Sequence, residues 1–224
     1  MSKVCAVFGY GPGIGAAVAR KWSKEGYKVA LLSRKLEKVE AAEIDIPNSK
    51  GFACDVTKPA DIVASVEAIE RSLGPIDTMI YNAGSGVWTT WDKIDLNLFD
   101  LSMKTNCHGL LAATKAVAPG MIRRREGSIL VTGATASLRG KPSTIGFAPP
   151  KGAQRLLAQG LARDLGPKGV HVALFIIDGG VGVDDGDPGK LDPNAIAKTY
   201  WDVSNQENTC WSFEVECRPA VEHW

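Results

Sequence analysis

Apolar and polar positions follow a regular order along the chain, in which short apolar runs are separated by longer amphipathic ones. The short runs predict buried strands at residues 4–8, 29–32, 51–54, 78–81, 128–132 and 170–177. The amphipathic stretches predict helices at residues 14–25, 36–42, 58–73, 96–122, 151–165 and 193–203. Strands that are apolar almost throughout and alternate with helices are typical of a parallel sheet covered on both faces. The pattern therefore predicts a doubly wound α/β sheet in three layers.

Composition narrows the class of protein without naming a function. The chain has 224 residues, 45% of them hydrophobic and 23% charged, and no linker or internal repeat divides it, so we expect a single domain over 1–224. A formal charge of +1 gives no general attraction to nucleic acid or to an anionic membrane, and we expect neither partner. No apolar run is long enough to span a bilayer, and the first residues do not resemble a signal peptide.

The cysteines and acidic residues suggest neither disulfides nor metals. Five cysteines, an odd number without zinc-like spacing, favour reduced thiols and a cytoplasmic location. The acidic run Asp184-Asp185-Gly186-Asp187 lacks the glutamate that a calcium loop needs at its twelfth position, because Ala195 stands there. We therefore expect no metal site.

The C-terminal part differs in composition from the rest. Residues 181–191 are rich in glycine and aspartate, and we expect the whole segment 181–224 to contribute a loop, a helix and a final strand that form a substrate lid or a subunit contact. Tryptophans that fit such a role are Trp201, Trp211 and Trp224. Trp88 and Trp91 instead follow a predicted strand end and are expected to line an apolar substrate pocket.

A glycine-rich turn joins the first predicted strand to an alanine-rich helix. Its glycines are Gly9, Gly11, Gly13 and Gly15, and Tyr10 and Ile14 lie between them. Glycine allows a sharp turn and a close approach of backbone N–H groups to a phosphate, which the helix N-terminus also favours. The turn therefore predicts a cradle for the pyrophosphate of a dinucleotide.

The spacing Gly9-x-x-x-Gly13-x-Gly15 resembles the turn of the short-chain dehydrogenase/reductase family. Further motifs of that family follow in its order over residues 3 to 182: Asp55 and Val56, the run Asn82-Ala83-Gly84, Asn106, and Lys151. The resemblance implies a Rossmann-type sheet, a homodimer or homotetramer, and a small-molecule substrate. It also implies that these residues contact the cofactor, with Asp55 at the adenine and Lys151 at the ribose.

The end of the second predicted strand indicates which cofactor is bound. An acidic residue there would hold the 2′-hydroxyl of NAD, whereas arginine pairs with the 2′-phosphate of NADP. The residues present are Ser33, Arg34 and Lys35, so we expect NADP(H) in preference to NAD(H).

In the family, proton transfer uses an Asn, a Ser, a Tyr and a Lys. Asn106 and Lys151 match two of these, but the Tyr position holds Phe147 and the Ser position holds Ala134. A phenyl ring has no ionisable proton, so Phe147 cannot act as a general acid. Asp178, in place of the family's Pro before Gly179, is the first candidate for a substitute, and Val181 is expected to meet the nicotinamide carboxamide.

Neighbouring groups offer weaker substitutes for the missing proton donor. Thr135 and Ser137 lie beside the Ser position, while His108 lies about 200° around a helix from Asn106 and is expected to point elsewhere. Three functions remain open: an atypical NADP(H)-dependent reductase, an NADP(H)-binding protein without redox activity, and an isomerase or cyclase in the same pocket.

Overall fold

The computed structural model of the chain describes residues 2–182 and 187–222. Trp224 and the acidic residues Asp184 and Asp185 lie outside the described residues. The described part contains a parallel sheet of seven strands, and its order is β3-β2-β1-β4-β5-β6-β9. These strands are β1 Val4–Phe8, β2 Lys28–Ser33, β3 Ser49–Ala53, β4 Ile76–Tyr81, β5 Ser128–Thr132, β6 His171–Ile177 and β9 Glu214–Cys217. A separate pair is formed by β7 Gly180–Val181 and β8 Lys190–Leu191.

Helices cover both faces of the sheet. They are α1 Ile14–Lys24, α2 Leu36–Glu43, α3 Pro59–Ser72, α4 Leu96–Met103, α5 Gly109–Arg124, α6 Ala148–Leu165 and α7 Pro193–Ser204. All residues of β1 are buried, and alternate side chains enter opposite cores: Phe8 packs with α3, α5 and α6, and Val7 with α1, α2 and α7. The predicted Rossmann-type α/β fold in three layers and one domain is confirmed.

The predicted single helix over 96–122 is wrong in one respect. A π-helical turn at Lys104–His108 separates α4 from α5. Two side chains bond to carbonyl oxygens four residues earlier: Thr105 Oγ1 donates to Leu101 at 2.8 Å and Asn106 Nδ2 donates to Ser102 at 2.8 Å. Side chains that occupy backbone acceptors in this way favour a local departure from α-helical bonding.

The C-terminal elements belong to the body of the domain. Trp201 of α7 packs edge-on against Trp22 of α1, with ring centroids 5.2 Å apart, and β9 extends the sheet beside β6. α7 and β9 thus pack within the layers, and the expected role of 181–224 as a substrate lid or a subunit contact stays a prediction. Among the helices of residues 2–182 and 187–222, none is long and apolar enough to cross a membrane.

Candidate active site

Glycines in the turn after β1 have two different roles. Gly9 has a φ of +88°, and a Cβ there would lie 2.4 Å from the backbone nitrogen of Ala83. A Cβ at Gly15 would lie 3.0 Å from the Gly9 carbonyl oxygen, so both glycines allow close packing of the chain. A Cβ at Gly11 would meet nothing within 4 Å. The turn thus leaves space for a ligand before the N-terminus of α1, whose unpaired N–H groups favour an anion.

A buried chain of hydrogen bonds holds this turn in place. Asn82 Nδ2 donates to the Gly9 carbonyl at 2.9 Å, and Asn82 Oδ1 accepts from Thr132 Oγ1 at 2.9 Å. Thr132 Oγ1 in turn accepts from the Tyr200 hydroxyl at 2.9 Å. Tyr200 of α7 therefore helps to fix the turn through Thr132 and Asn82, a connection that the sequence did not indicate.

A first cavity of about 290 Å³ lies between the glycine turn and the ends of β2 and β3. Predicted cofactor residues in its wall are Gly9, Tyr10, Ser33, Arg34, Asp55, Val56, Asn82, Ala83 and Gly84. Lys38 also lines it, whereas Lys35 does not. Arg34 lies just before α2 and Lys38 lies in its first turn, and both cations line the cavity. The sequence predicts Lys35 and does not single out Lys38, and the Lys35 contact with the cofactor stays a prediction.

Asp55 is held by its own loop. Burial alone would raise the pKa of Asp55, but hydrogen bonds from the Thr57 hydroxyl and amide and the charges of Lys58 and Arg34 lower it overall. The Thr57 bonds to Asp55 Oδ1 measure 2.7 Å from the hydroxyl and 3.0 Å from the amide. The carboxylate is thereby fixed as an acceptor beside the first cavity.

A second, larger cavity of about 940 Å³ adjoins the first at Gly84. Predicted site residues in its wall are Ile14, Gly84, Trp88, Ala134, Thr135, Phe147, Lys151, Asp178 and Gly179. Val181 stands near the turn, with its Cγ1 3.9 Å from the position of a Cβ on Gly13. Trp91 is 79% exposed and not part of this wall. Both cavities lie at the carboxyl ends of the strands, where the strand order reverses between β1 and β4.

Asn106 presents an unsatisfied acceptor to the point where the two cavities meet. Its Nδ2 donates to the carbonyl oxygens of Ser85 at 2.6 Å and Ser102 at 2.8 Å. Its Oδ1 is buried and has no partner among the described residues, and lies 3.5 Å from the position of a Cβ on Gly84. A buried acceptor of this kind needs a donor, which a bound ligand or water supplies.

Lys151 converges on the same point from α6. Its Nζ lies 3.5 Å from the position of a Cβ on Gly84, and it donates to the Thr132 carbonyl and to Gln154 Oε1, each at 3.0 Å. Burial lowers the pKa of Lys151 to about 8. The ammonium is thus held beside Asn106, where it can donate to a ligand hydroxyl. Gln154 is a second residue that the sequence did not single out.

Phe147 and Ala134, at the positions that the sequence predicts for the family's Tyr and Ser, both line the larger cavity. Phe147 stands at the start of α6, and its ring stacks on Trp88 with centroids 5.7 Å apart. Ala134 lies at the end of β5 in the same cavity wall. Neither side chain has an exchangeable proton. Of the predicted substitutes, His108 is exposed and not part of the cavity wall.

Asp178 is firmly held as an acceptor. Its Oδ1 accepts from Thr135 Oγ1 at 2.5 Å and lies 3.6 Å from Arg139 Nη2, while its Oδ2 lies 3.5 Å from Arg218 Nη2. The Asp178 carboxylate is therefore arranged as an acceptor between the Thr135 hydroxyl and two guanidinium groups. Ser137 Oγ is buried without a described partner, and Ser137 does not line the cavity.

These features define a class. A glycine turn before a helix, two adjoining cavities at the switch point of a parallel sheet, and a lysine and an asparagine between them fit a dinucleotide. The family model for short chain dehydrogenases matches residues 3–182. The chain therefore belongs to the short-chain dehydrogenase family.

Similar proteins agree with this membership. The chain is 35% identical over 175 residues to 2-(S)-hydroxypropyl-CoM dehydrogenase 3 of Xanthobacter autotrophicus, which covers 76% of this chain and 69% of that protein. A short-chain dehydrogenase from Rhodopseudomonas palustris superposes with a TM-score of 0.87 at 31% identity, over 97% of this chain and 98% of the other. A metagenomic short-chain oxidoreductase solved with NADP gives a TM-score of 0.87 at 25% identity, over 98% of both chains.

Proposed function

We propose that the chain binds NADP(H) and is an atypical short-chain reductase that acts on a small carbonyl compound or the matching alcohol. The convergence of Lys151 and Asn106 on Gly84, between the two cavities, is the observation that carries this proposal. When bound, the nicotinamide ring supplies or accepts hydride. The first cavity, with Arg34 and Lys38, fits the adenosine half and its 2′-phosphate, and NADP(H) is accordingly preferred to NAD(H).

In this proposal the chain's own residues bind and orient the cofactor. The ammonium of Lys151 would donate to the ribose hydroxyls, and the Asn106 acceptor would receive a hydrogen bond from a ribose hydroxyl or an ordered water. Gly13 and Gly15 would allow the pyrophosphate to approach the N-terminus of α1, and Ile14 and Val181 would pack near the nicotinamide. The remaining predicted contacts, Tyr10, Ser33, Val56 and Gly179, supply cavity wall in this proposal.

The proton would come from water, because Phe147 and Ala134 cannot give one. Loss of a general acid costs about two to four orders of magnitude in rate, while positioning of the reactants is a separate and often larger contribution. Asp178, held by Thr135 and two arginines, acts in this proposal through the groups it positions. Catalysis therefore rests on binding and orientation.

Lys151 and Asn106 also support a second candidate, an NADP(H)-binding protein without redox activity that serves as a sensor or partner subunit. An isomerase or cyclase that uses the pocket is the third. The two experiments that separate them are a fluorescence titration with NADPH and an assay of NADPH oxidation over a panel of aldehydes and ketones. Tight binding without oxidation by any acceptor would rule out the reductase.

We also propose that the chain is a homodimer or homotetramer in the cytoplasm. Leu96, Leu111 and Leu156, on α4, α5 and α6, are exposed apolar residues that a subunit contact would cover. All five cysteines are unpaired, as a reducing compartment requires. Light scattering during size exclusion tests the first statement, since a monomer at every concentration would contradict it. Cell fractionation tests the second.

A further inference from the structure

The larger cavity has a charged side that the proposed cofactor does not use. Arg139 follows the short helical turn after β5, and Lys141 lies two residues on; both line the cavity. Two carboxylates, Asp178 and Glu222, face it as well. Lys151 belongs to the proposed cofactor site, and the rest of the wall holds two cations and two carboxylates among the described residues, so anion binding there depends on how Arg139 is engaged.

The ion pair with Asp178 orients the Arg139 guanidinium and leaves part of it open to the cavity. Its Nη2 lies 3.6 Å from Asp178 Oδ1, and within the described part of the chain this is its one recorded ion pair. The same carboxylate is shared with Arg218 and accepts the Thr135 hydroxyl. Since Asp178 is nearly buried while the Arg139 side chain is 44% exposed, the guanidinium keeps donors for a ligand in the cavity.

The same cavity wall also contains two aromatic side chains, Trp88 and Phe147. Trp88 stacks on Phe147 at 5.7 Å and is 67% exposed. The loops that carry them are joined by bridges between Val87 and Gly146 and between Thr89 and Thr144. The cavity therefore offers one flat apolar surface and one guanidinium with a fixed orientation.

We propose that the substrate is an oxo acid, or the matching hydroxy acid, whose carboxylate binds Arg139 while its apolar body packs on Trp88 and Phe147. This inference rests on the proposed reductase function and names its substrate class. Asp178 is the positioning residue that holds the guanidinium. In the reductive direction the carbonyl carbon would receive hydride from the nicotinamide and the carbonyl oxygen would receive a proton from water, so that the hydroxy acid, NADP⁺ and hydroxide would result.

Benzoylformate and its methyl ester test the inference, because they differ in charge and share the ketone and the aryl ring. We expect calorimetry on the protein saturated with NADP⁺ to show that the acid binds about tenfold or more tighter than the ester. Arg139→Gln should remove that preference, the effect of losing a charge-assisted hydrogen bond. Arg163→Gln, at the exposed end of α6, is the matched control and should retain the preference.

Asp178→Asn tests the positioning role. We expect it to lower the acid-to-ester preference while NADPH affinity stays unchanged. Arg139→Lys is the second variant to measure if Asp178→Asn or Arg139→Gln folds poorly, and it should keep part of the preference. An ester that binds as well as the acid, an Arg139→Gln protein with the wild-type preference, or failure of both benzoylformate and pyruvate to bind would each overturn the inference.

The two proposals fail in different ways. Oxidation of NADPH by neutral ketones but not by acids would leave the reductase intact and reject the substrate class. Arg139-dependent binding of the acid without oxidation of NADPH would reject the reductase and leave the anion site.

Discussion

The Lys151 ammonium donates to the backbone carbonyl of Thr132 at 3.0 Å, and this bond joins α6 to the end of β5. The Thr132 hydroxyl accepts a hydrogen bond from the Tyr200 hydroxyl of α7 and donates one to Asn82. Asn82 in turn donates to the Gly9 carbonyl and so holds the glycine turn. One residue at the end of β5 therefore positions both the lysine and the phosphate cradle. The site is arranged before a ligand arrives, which reduces the entropy cost of binding.

Burial of Lys151 predicts a specific pH dependence of stability. Its pKa is lowered by burial from 10.5 to about 8, so between these values the unfolded chain binds more protons than the folded protein. The free energy of unfolding should therefore rise with pH over this window, by up to about 3 kcal/mol at about 1.4 kcal/mol per pKa unit. Below the window the cost of burying the ammonium is fully present. Urea unfolding between about pH 7 and pH 10 measures the rise.

Lys151→Met supplies the comparison that isolates this group. Other groups titrate in the same range, so the expected result is that the wild type gains stability relative to Lys151→Met as pH rises. Lys115→Met, on the exposed side of α5, is the control and should follow the wild type. Parallel curves for wild type and Lys151→Met would contradict the argument.

Cofactor preference should depend on Arg34 and Lys38 rather than on Lys35. Arg34→Glu and Lys38→Ala are each expected to weaken NADPH about tenfold or more, because each removes a cation from the proposed 2′-phosphate site, while NADH changes little. Lys35→Ala is the matched control, with an expected change within about twofold, since it removes only a solvated charge. Fluorescence titration with both cofactors measures the effect. Equal losses for NADPH and NADH would refute the assignment.

Lys35 and Lys38 illustrate what the sequence could predict and what it could not. Strand and helix periodicity gave the sheet and its covering helices, because burial on both faces leaves a strong apolar signal. Lys38 was missed although the predicted start of α2 was correct, because which side chains line a cavity depends on the elements packed around it, and no local pattern gives those. Arg139, Asp178 and Arg218 come from three distant segments, and no local spacing predicts that they meet. The π-helical turn at Lys104–His108 was also not predicted, because it depends on hydrogen bonds from the Thr105 and Asn106 side chains to the backbone.

Restoring the family's acid tests the reason for a slow reaction. Phe147→Tyr with Ala134→Ser is expected to raise turnover of a carbonyl substrate by about two orders of magnitude, the usual contribution of a positioned general acid. Ala134→Ser alone should change turnover little, because it supplies no proton-donating tyrosine. Single-turnover oxidation of bound NADPH measures this. Unchanged turnover in the double variant, with NADPH affinity intact, would show that proton transfer does not limit the rate.

Gly86 and Phe147 give a stability test of the aromatic wall. A Cβ on Gly86 would lie 2.2 Å from Phe147 Cδ2, a distance that real contacts do not reach, so the ring must move and its stacking on Trp88 must change. Gly86→Ala should therefore lower the free energy of unfolding by about 1–3 kcal/mol, the cost of overpacking. It should also alter the fluorescence of Trp88.

Gly160→Ala is the matched control, because a Cβ there meets nothing within 4 Å on the exposed side of α6. It should stabilise the protein by about 0.5–1 kcal/mol through helix propensity. If the Gly86 effect arises from the ring, Gly86→Ala should cost clearly less when Phe147 is already alanine. An equal cost in both backgrounds would place the strain in the Gly86 backbone and leave the aromatic wall with no part in it.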